Sequence, residues 1–191
     1  MAVVLSKGGT VSLTKEAGPR GLTSITVGLG WDTAPGVEFD LDASAIVVDG
    51  TRRALSDEHF VFYNNLTAPG GGVRHTGDNR TGEGDGDDEQ LVVELNSVPA
   101  HAASIVFVVS IDRAAERAQS FGQVSNAFIR VVNNLDQQEL ARFDLSYGAG
   151  NEAALAFGEV YREADTWKFH AIGDGHPQGF VGILRQYGVN V

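Results

Sequence analysis

Cysteine is absent from the 191 residues, and methionine occurs once. That excludes disulfides, thiolate zinc centres and thiol redox chemistry, and it fits a reducing compartment. Basic residues are scarce: 14 Lys and Arg stand against 25 Asp and Glu, for a formal net charge of −11. Phosphate backbones need an excess of Lys and Arg on one face, so nucleic acid is not an expected partner. An anionic membrane surface is disfavoured on the same ground unless bound cations invert the local sign. Long apolar runs are missing as well. The longest, "IVFVV" at 105–109, falls far short of the roughly 20 residues a membrane helix requires. The opening "MAVVLSKGG" has neither the cationic start nor the apolar stretch of a signal peptide. The expectation is a soluble, cytoplasmic protein with no integral membrane segment.

What the chain does have is short alternating segments punctuated by 24 glycines. "TVSLT" alternates Val11 and Leu13, and "SITVGLG" alternates Ile25, Val27 and Leu29, each with one apolar face at period two. "EFDLDASAIVV" (38–48) sends Phe39, Leu41, Ala43 and Ala45 to one side. "HFVFYNN", "LVVEL", "SIVFVVSI", "AFIRVVN" and "LARFDL" add further strands, and "LAFGEVYRE" with "WKFHAIG" reads as a hairpin across Ala164, Asp165 and Thr166. Helices are few. Ser56 is placed to cap one turn at 56–60, and Asp112 a short helix at 112–119. A helix over 178–188 ends at Gly188 and carries Phe180, Ile183, Leu184 and Tyr187 as one apolar stripe, a lid on the core. The fold class is mainly β: an antiparallel β-sandwich with a few short helices, forming one domain over 1–191, with loops gathered at its ends.

One segment breaks the ordinary pattern. "GDNRTGEGDGDDE" (77–89) packs six carboxylates and one Arg among glycines. Carboxylates crowded this closely repel, and a metal ion is the chemical reason to gather them. All the donors are oxygens, which favours Ca²⁺, with its six to eight flexible oxygen ligands, over Mg²⁺, zinc or copper. A phosphate loop is excluded because the same carboxylates would repel the anion. An EF-hand is excluded too. With Asp78 at its first position Glu89 falls at the twelfth, but Arg80, Gly82 and Glu83 stand where ligands and the turn glycine belong.

A second acidic element strengthens the reading. In "FDLD", Asp40 and Asp42 share one face of a strand, at a repulsive cost that a cation would relieve. Asp32, after Trp31, lies where it can join the same rim. Loops 32–42 and 77–89 then form one site for one or two ions, with Asp40, Asp42, Asp78, Asn79, Glu83, Asp85, Asp87, Asp88 and Glu89 as ligands. The bland alternative for 77–89 is a solvated acidic loop.

Several blocks in order, "VGLGWD", "FDLDASA", "FVFYNN", "HTGDNRTGEGDGDDE", "FGQVSNAFIRVVN", "ELARFDL" and "YGVNV", are similar to the TerD family of tellurium-resistance and stress-response proteins. Ile46 and Val47, and the stretch "GDGHPQGFVGILRQ", depart from the family's usual residues without touching the acidic segments. The resemblance implies a β-sandwich that binds Ca²⁺, two ions in all, and works in bacterial stress responses. Proteins of tellurite-resistance operons, a membrane protein among them, are the implied partners. It implies no catalysis. The rival reading is a metal-dependent hydrolase using the same acidic cluster, for which His75 and Tyr63 are the nearest bases.

Overall fold

The computed structural model describes residues 2–32, 39–77, 86–145 and 150–191. In chain order its strands are β1 Val3–Leu5, β2 Thr10–Ser12, β3 Ser24–Asp32, β4 Leu41–Val48, β5 Phe60–Val61 and β6 Val73–His75. They continue with β7 Glu89–Glu94, β8 Ser104–Ile111, β9 Ser125–Asn133, β10 Gln138–Asp144, β11 Ala154–Glu163 and β12 Thr166–Gly175. The helices are α1 Leu13–Ala17, α2 Ala114–Arg117 and α3 Gly179–Gln186. One sheet, called A, runs β1-β10-β9-β3-β7-β6, and the other, B, runs β2-β12-β11-β8-β4-β5. Pairing is antiparallel except between β1 and β10.

Period-two alternation sets the packing. Ile25, Val27, Leu29 and Trp31 of β3 face Leu41, Ala43, Ala45 and Val47 of β4 across one core, joined by Phe107 and Phe157, whose rings stack at 5.9 Å. β8 is buried along its whole length because sheet B is covered on both sides. Its outward residues Val106 and Val108, with Ile46 and Val48, form a second cluster beneath Ile183, Leu184 and Tyr187 of α3. The stripe expected to act as a lid does so, and Gly188, at φ +77, ends the helix in the left-handed conformation that glycine tolerates.

Three local expectations are corrected. "TVSLT" is a strand only to Ser12, whose hydroxyl then accepts from the Lys15 amide and caps α1, burying Leu13. Asp112 does not cap α2; the cap position is Arg113, in left-handed backbone. Ser56 precedes a short 3₁₀ turn, but its hydroxyl pairs with the His59 ring instead of capping.

The outer face of sheet A positions the acidic segment's C-terminal foot. Asp87 reaches over β3 to β9, where Arg130 Nε donates to its Oδ1 at 2.7 Å, and the carboxylate is 2% exposed. That crossing requires a bare backbone beneath it. A Cβ on Gly28 would lie 2.1 Å from Asp87 Oδ2, and one on Gly30 would lie 2.5 Å from the Phe128 ring and 2.9 Å from the Gly86 carbonyl. The pair of glycines in "VGLG" therefore makes the shelf on which residues 86 and 87 rest.

Gly28→Ala is expected to push Asp87 off Arg130 and destabilise the protein by about 1–3 kcal/mol in urea melts. In an Asp87→Ala background the same substitution should cost far less, because its obstacle is gone. Equal costs in both backgrounds would refute the shelf.

Candidate metal centre

Four acidic residues are brought to one end of the sandwich: Asp32 at the end of β3, Asp40 just before β4, Asp88 just before β7 and Asp112 just after β8. Trp31 organises the first three. Its backbone amide donates to Asp88 Oδ2 at 3.1 Å, and its indole Nε1 donates to the Phe39 carbonyl at 3.2 Å. The Asp40 carbonyl in turn accepts from the Asp112 amide at 2.8 Å, which ties the approach to β4 to the end of β8. Asp32 accepts from the Asn126 amide group at 2.6 Å.

The electrostatics there favour a cation. Burial raises the Asp88 carboxyl above the ordinary 3.8, opposed by the Trp31 hydrogen bond, and repulsion from Asp87 and Asp32 raises it further. Asp87 itself is turned the other way. Besides Arg130 it accepts from Gln90 Nε2 at 3.3 Å, and Arg130 continues to Glu139 at 3.3 Å. The hydrogen bond with Asp87 is the chief reason the Arg130 guanidinium is held above its ordinary range. A polar recess of about 310 Å³, lined by Thr26, Asp87, Gln90 and Arg130, lies over this network.

The remaining expected ligands separate. Asp42 does point outward from β4, as its strand position demanded, into a cleft of about 250 Å³ with Ser44, Tyr63, Ser110, Asp112 and Phe180 on the outer face of sheet B. Asp87 lies on the outer face of sheet A, so Asp42 and Asp87 stand on opposite sides of the sandwich and cannot share one ion. Glu89 faces neither side. It is 1% exposed between the sheets, where its Oε2 accepts from the Ala43 amide at 2.5 Å. Asp78, Asn79, Glu83 and Asp85 lie outside the described residues. Among the described residues no three His, Asp or Glu side chains converge closely enough to hold a metal ion.

His75 was legible in the sequence only as a possible base. It is 2% exposed, with Nδ1 accepting from the Gly77 amide at 3.0 Å and Nε2 on the Ala43 carbonyl at 3.1 Å. Since a carbonyl accepts and an amide donates, these partners assign the ring proton to Nε2. Both nitrogens are thereby committed, which removes His75 as a metal ligand or base in this arrangement. The described donors at this end, Asp32, Asp40, Asp88 and Asp112, are oxygens, the ligand type that hard cations take. Arg130, Trp31 and the shelf glycines were not singled out from sequence as parts of the site. The glycine alternation in "VGLG", where a strand would otherwise carry β-branched residues, was the one available signal.

The TerD domain family matches residues 1–187. Tellurium resistance protein TerD of Serratia marcescens is 52% identical over 192 residues, covering 100% of this chain and 99% of the relative. General stress protein 16U of Bacillus subtilis (strain 168) is 46% identical, covering 100% of both chains. A crystal structure of a homologue of telluride resistance protein (TerD) from Streptomyces coelicolor A3(2) superimposes with a TM-score of 0.68 at 25% identity, covering 84% of this chain and 94% of that one. Sequence blocks, two-sheet architecture and relatives agree: this chain belongs to the TerD domain family of tellurium-resistance and stress-response proteins.

Proposed function

We propose that this protein is a non-enzymatic calcium-binding member of its family, taking about two Ca²⁺ through the acidic loops 32–42 and 77–89. Ion binding then governs association with a protein or membrane partner. The observation that carries the reading is Asp88, half-buried against the Trp31 amide and repelled by Asp32 and Asp87 at the mouth of the acidic segment. An anion held in that setting without a cation is a cost to the fold, and a divalent cation converts it into a gain. Asp40 and Asp88, both tied to Trp31 through short links, are the described ligands the reading favours, completed by Asp78, Asn79, Glu83 and Asp85. Asp42 remains a ligand only for an ion on its own face of sheet B. Asp87 and Glu89 serve chiefly to anchor the segment. Bound Ca²⁺ would supply charge neutralisation at a rim that otherwise repels anionic partners. The commitment of both His75 nitrogens takes away one of the two bases named for the hydrolase alternative and leaves it only Tyr63. Among the described residues no helix is long and apolar enough to cross a membrane.

Thermal melts in EDTA, Ca²⁺ and Mg²⁺ test the reading directly. Ca²⁺ at ~100 times its Kd should add about 2.7 kcal/mol of stability, with a smaller response to Mg²⁺, and Asp85→Asn should remove most of the shift. Identical melts in all three conditions would sink it.

Asp88→Asn separates the cost of the empty site from the gain on binding. The native state holds the Asp88 proton more tightly than the unfolded chain does. Ion-free stability therefore falls as pH rises from the unfolded value through the raised native one, and the deficit stays constant above it. Asparagine keeps the acceptor for Trp31 and carries no charge. The variant should melt higher than wild type in EDTA at neutral pH, lack that acid-side decline, and gain less from Ca²⁺. A variant that melts lower in EDTA and keeps the full Ca²⁺ shift contradicts the assignment.

Liposome co-sedimentation distinguishes the partners. Ca²⁺-dependent pelleting with anionic vesicles supports a bilayer surface, whereas no difference with and without Ca²⁺ leaves a protein partner.

A further inference from the structure

β5 pairs with β4 only at Ala45 and Ile46. Beyond its end, the edge of β4 leading to Asp42 and Asp40 has no strand beside it among the described residues. Both backbone groups of Ala43 are nevertheless satisfied, and by side chains of the opposite sheet. Glu89, the first residue of β7, takes the Ala43 amide at 2.5 Å, and His75, the last residue of β6, takes its carbonyl at 3.1 Å. The two side chains sit 3.7 Å apart, both essentially inaccessible to solvent. β6 and β7 are the strands that bracket the acidic segment, and His75 Nδ1 also receives the Gly77 amide, immediately before Asp78.

We propose that His75 is a positioning residue for calcium binding. With Glu89 it clasps the Ala43 backbone, fixing both feet of the acidic segment to the strand that carries Asp40 and Asp42. The inference rests on the calcium reading and adds its mechanism of preorganisation. A segment whose ends are fixed loses less conformational freedom on taking an ion than one whose ends are loose. Removing the imidazole strips partners from the buried Ala43 carbonyl and the half-buried Gly77 amide, and frees the N-terminal foot.

His75→Phe keeps the bulk and removes both hydrogen bonds, while His75→Gln retains a donor and an acceptor. Val106→Ala, beneath α3 on the far side of sheet B, supplies a control that lowers stability without touching the clasp. Ca²⁺ affinity is measured by calorimetry well below each melting temperature, so that only folded protein is read. His75→Phe should bind at least about tenfold more weakly, His75→Gln should recover part of the loss, and Val106→Ala should bind as wild type does. In EDTA, the Gly77 and Ala43 amides should exchange with solvent faster in His75→Phe than in the control. Unchanged affinity in His75→Phe, or an equal loss in Val106→Ala, overturns the clasp while leaving calcium binding intact. A wild-type protein that takes up no Ca²⁺ overturns the reading beneath it. Should His75→Phe fail to fold, His75→Gln is read in its place: wild-type affinity, with exchange at the Gly77 and Ala43 amides no faster than in the control, counts against the clasp.

Discussion

The Ala43 backbone is the point on which the rest of the site depends. Its amide and carbonyl would be open strand edge, yet they are bound by Glu89 and His75 from the facing sheet. A buried carboxylate and a buried imidazole are each costly to take from water, and they are tolerated here because each meets a backbone partner of the right polarity. The result is a polar tie through an apolar core. It sets how sheet A meets sheet B at the edge where the acidic segment enters and leaves. Leu41, Ala43 and Ala45 can then pack inward while their alternate neighbours face out.

The two adjacent aspartates before β7 show how one sequence pair can carry opposite roles. Asp87 is directed over the glycine shelf to Arg130, and its charge is compensated within the fold. Exposed ion pairs contribute about 0–1 kcal/mol, whereas breaking one with a buried member costs several times that, because the survivor stays uncompensated. With its carboxylate 2% exposed, Asp87 belongs near the second case. It is a structural anchor. Asp88 is given one backbone amide and two like-charged neighbours, which leaves its charge only partly compensated by the groups named here. The anchor and the repelled group are one residue apart, so the foot is fixed beside a carboxylate that two like charges crowd.

The sequence revealed what periodicity can reveal. Alternation placed Phe39, Leu41, Ala43 and Ala45 on the core side and, by elimination, Asp42 on the other, and helical spacing found the lid made by Ile183, Leu184 and Tyr187. Period two reports which face a side chain takes, but not which sheet its strand joins. Asp42 and Asp87 therefore looked like partners although they belong to opposite outer faces. Glu89 read as one more carboxylate in a run, because nothing local distinguishes an acid aimed at solvent from one aimed at a backbone amide 46 positions away. The helix at Leu13 was hidden by the same ambiguity, as Val11 and Leu13 alternate correctly until Ser12 caps the turn.

The chemistry of the chain also constrains how a tellurium-resistance protein of this kind can act. Reducing an oxyanion such as tellurite requires electrons from a thiol or a redox group, and these 191 residues include no cysteine and a single methionine. Direct coordination of such an oxyanion is no better served. An acidic rim within a chain of net charge −11 repels anions, and of the described cations near it Arg130 is paired with Asp87 and Arg113 with Asp112. What the rim is suited to attract is a cation. The calcium proposal fits these charges as an indirect route, in which a divalent ion would change the sign of one surface and that surface would engage a partner the bare protein repels.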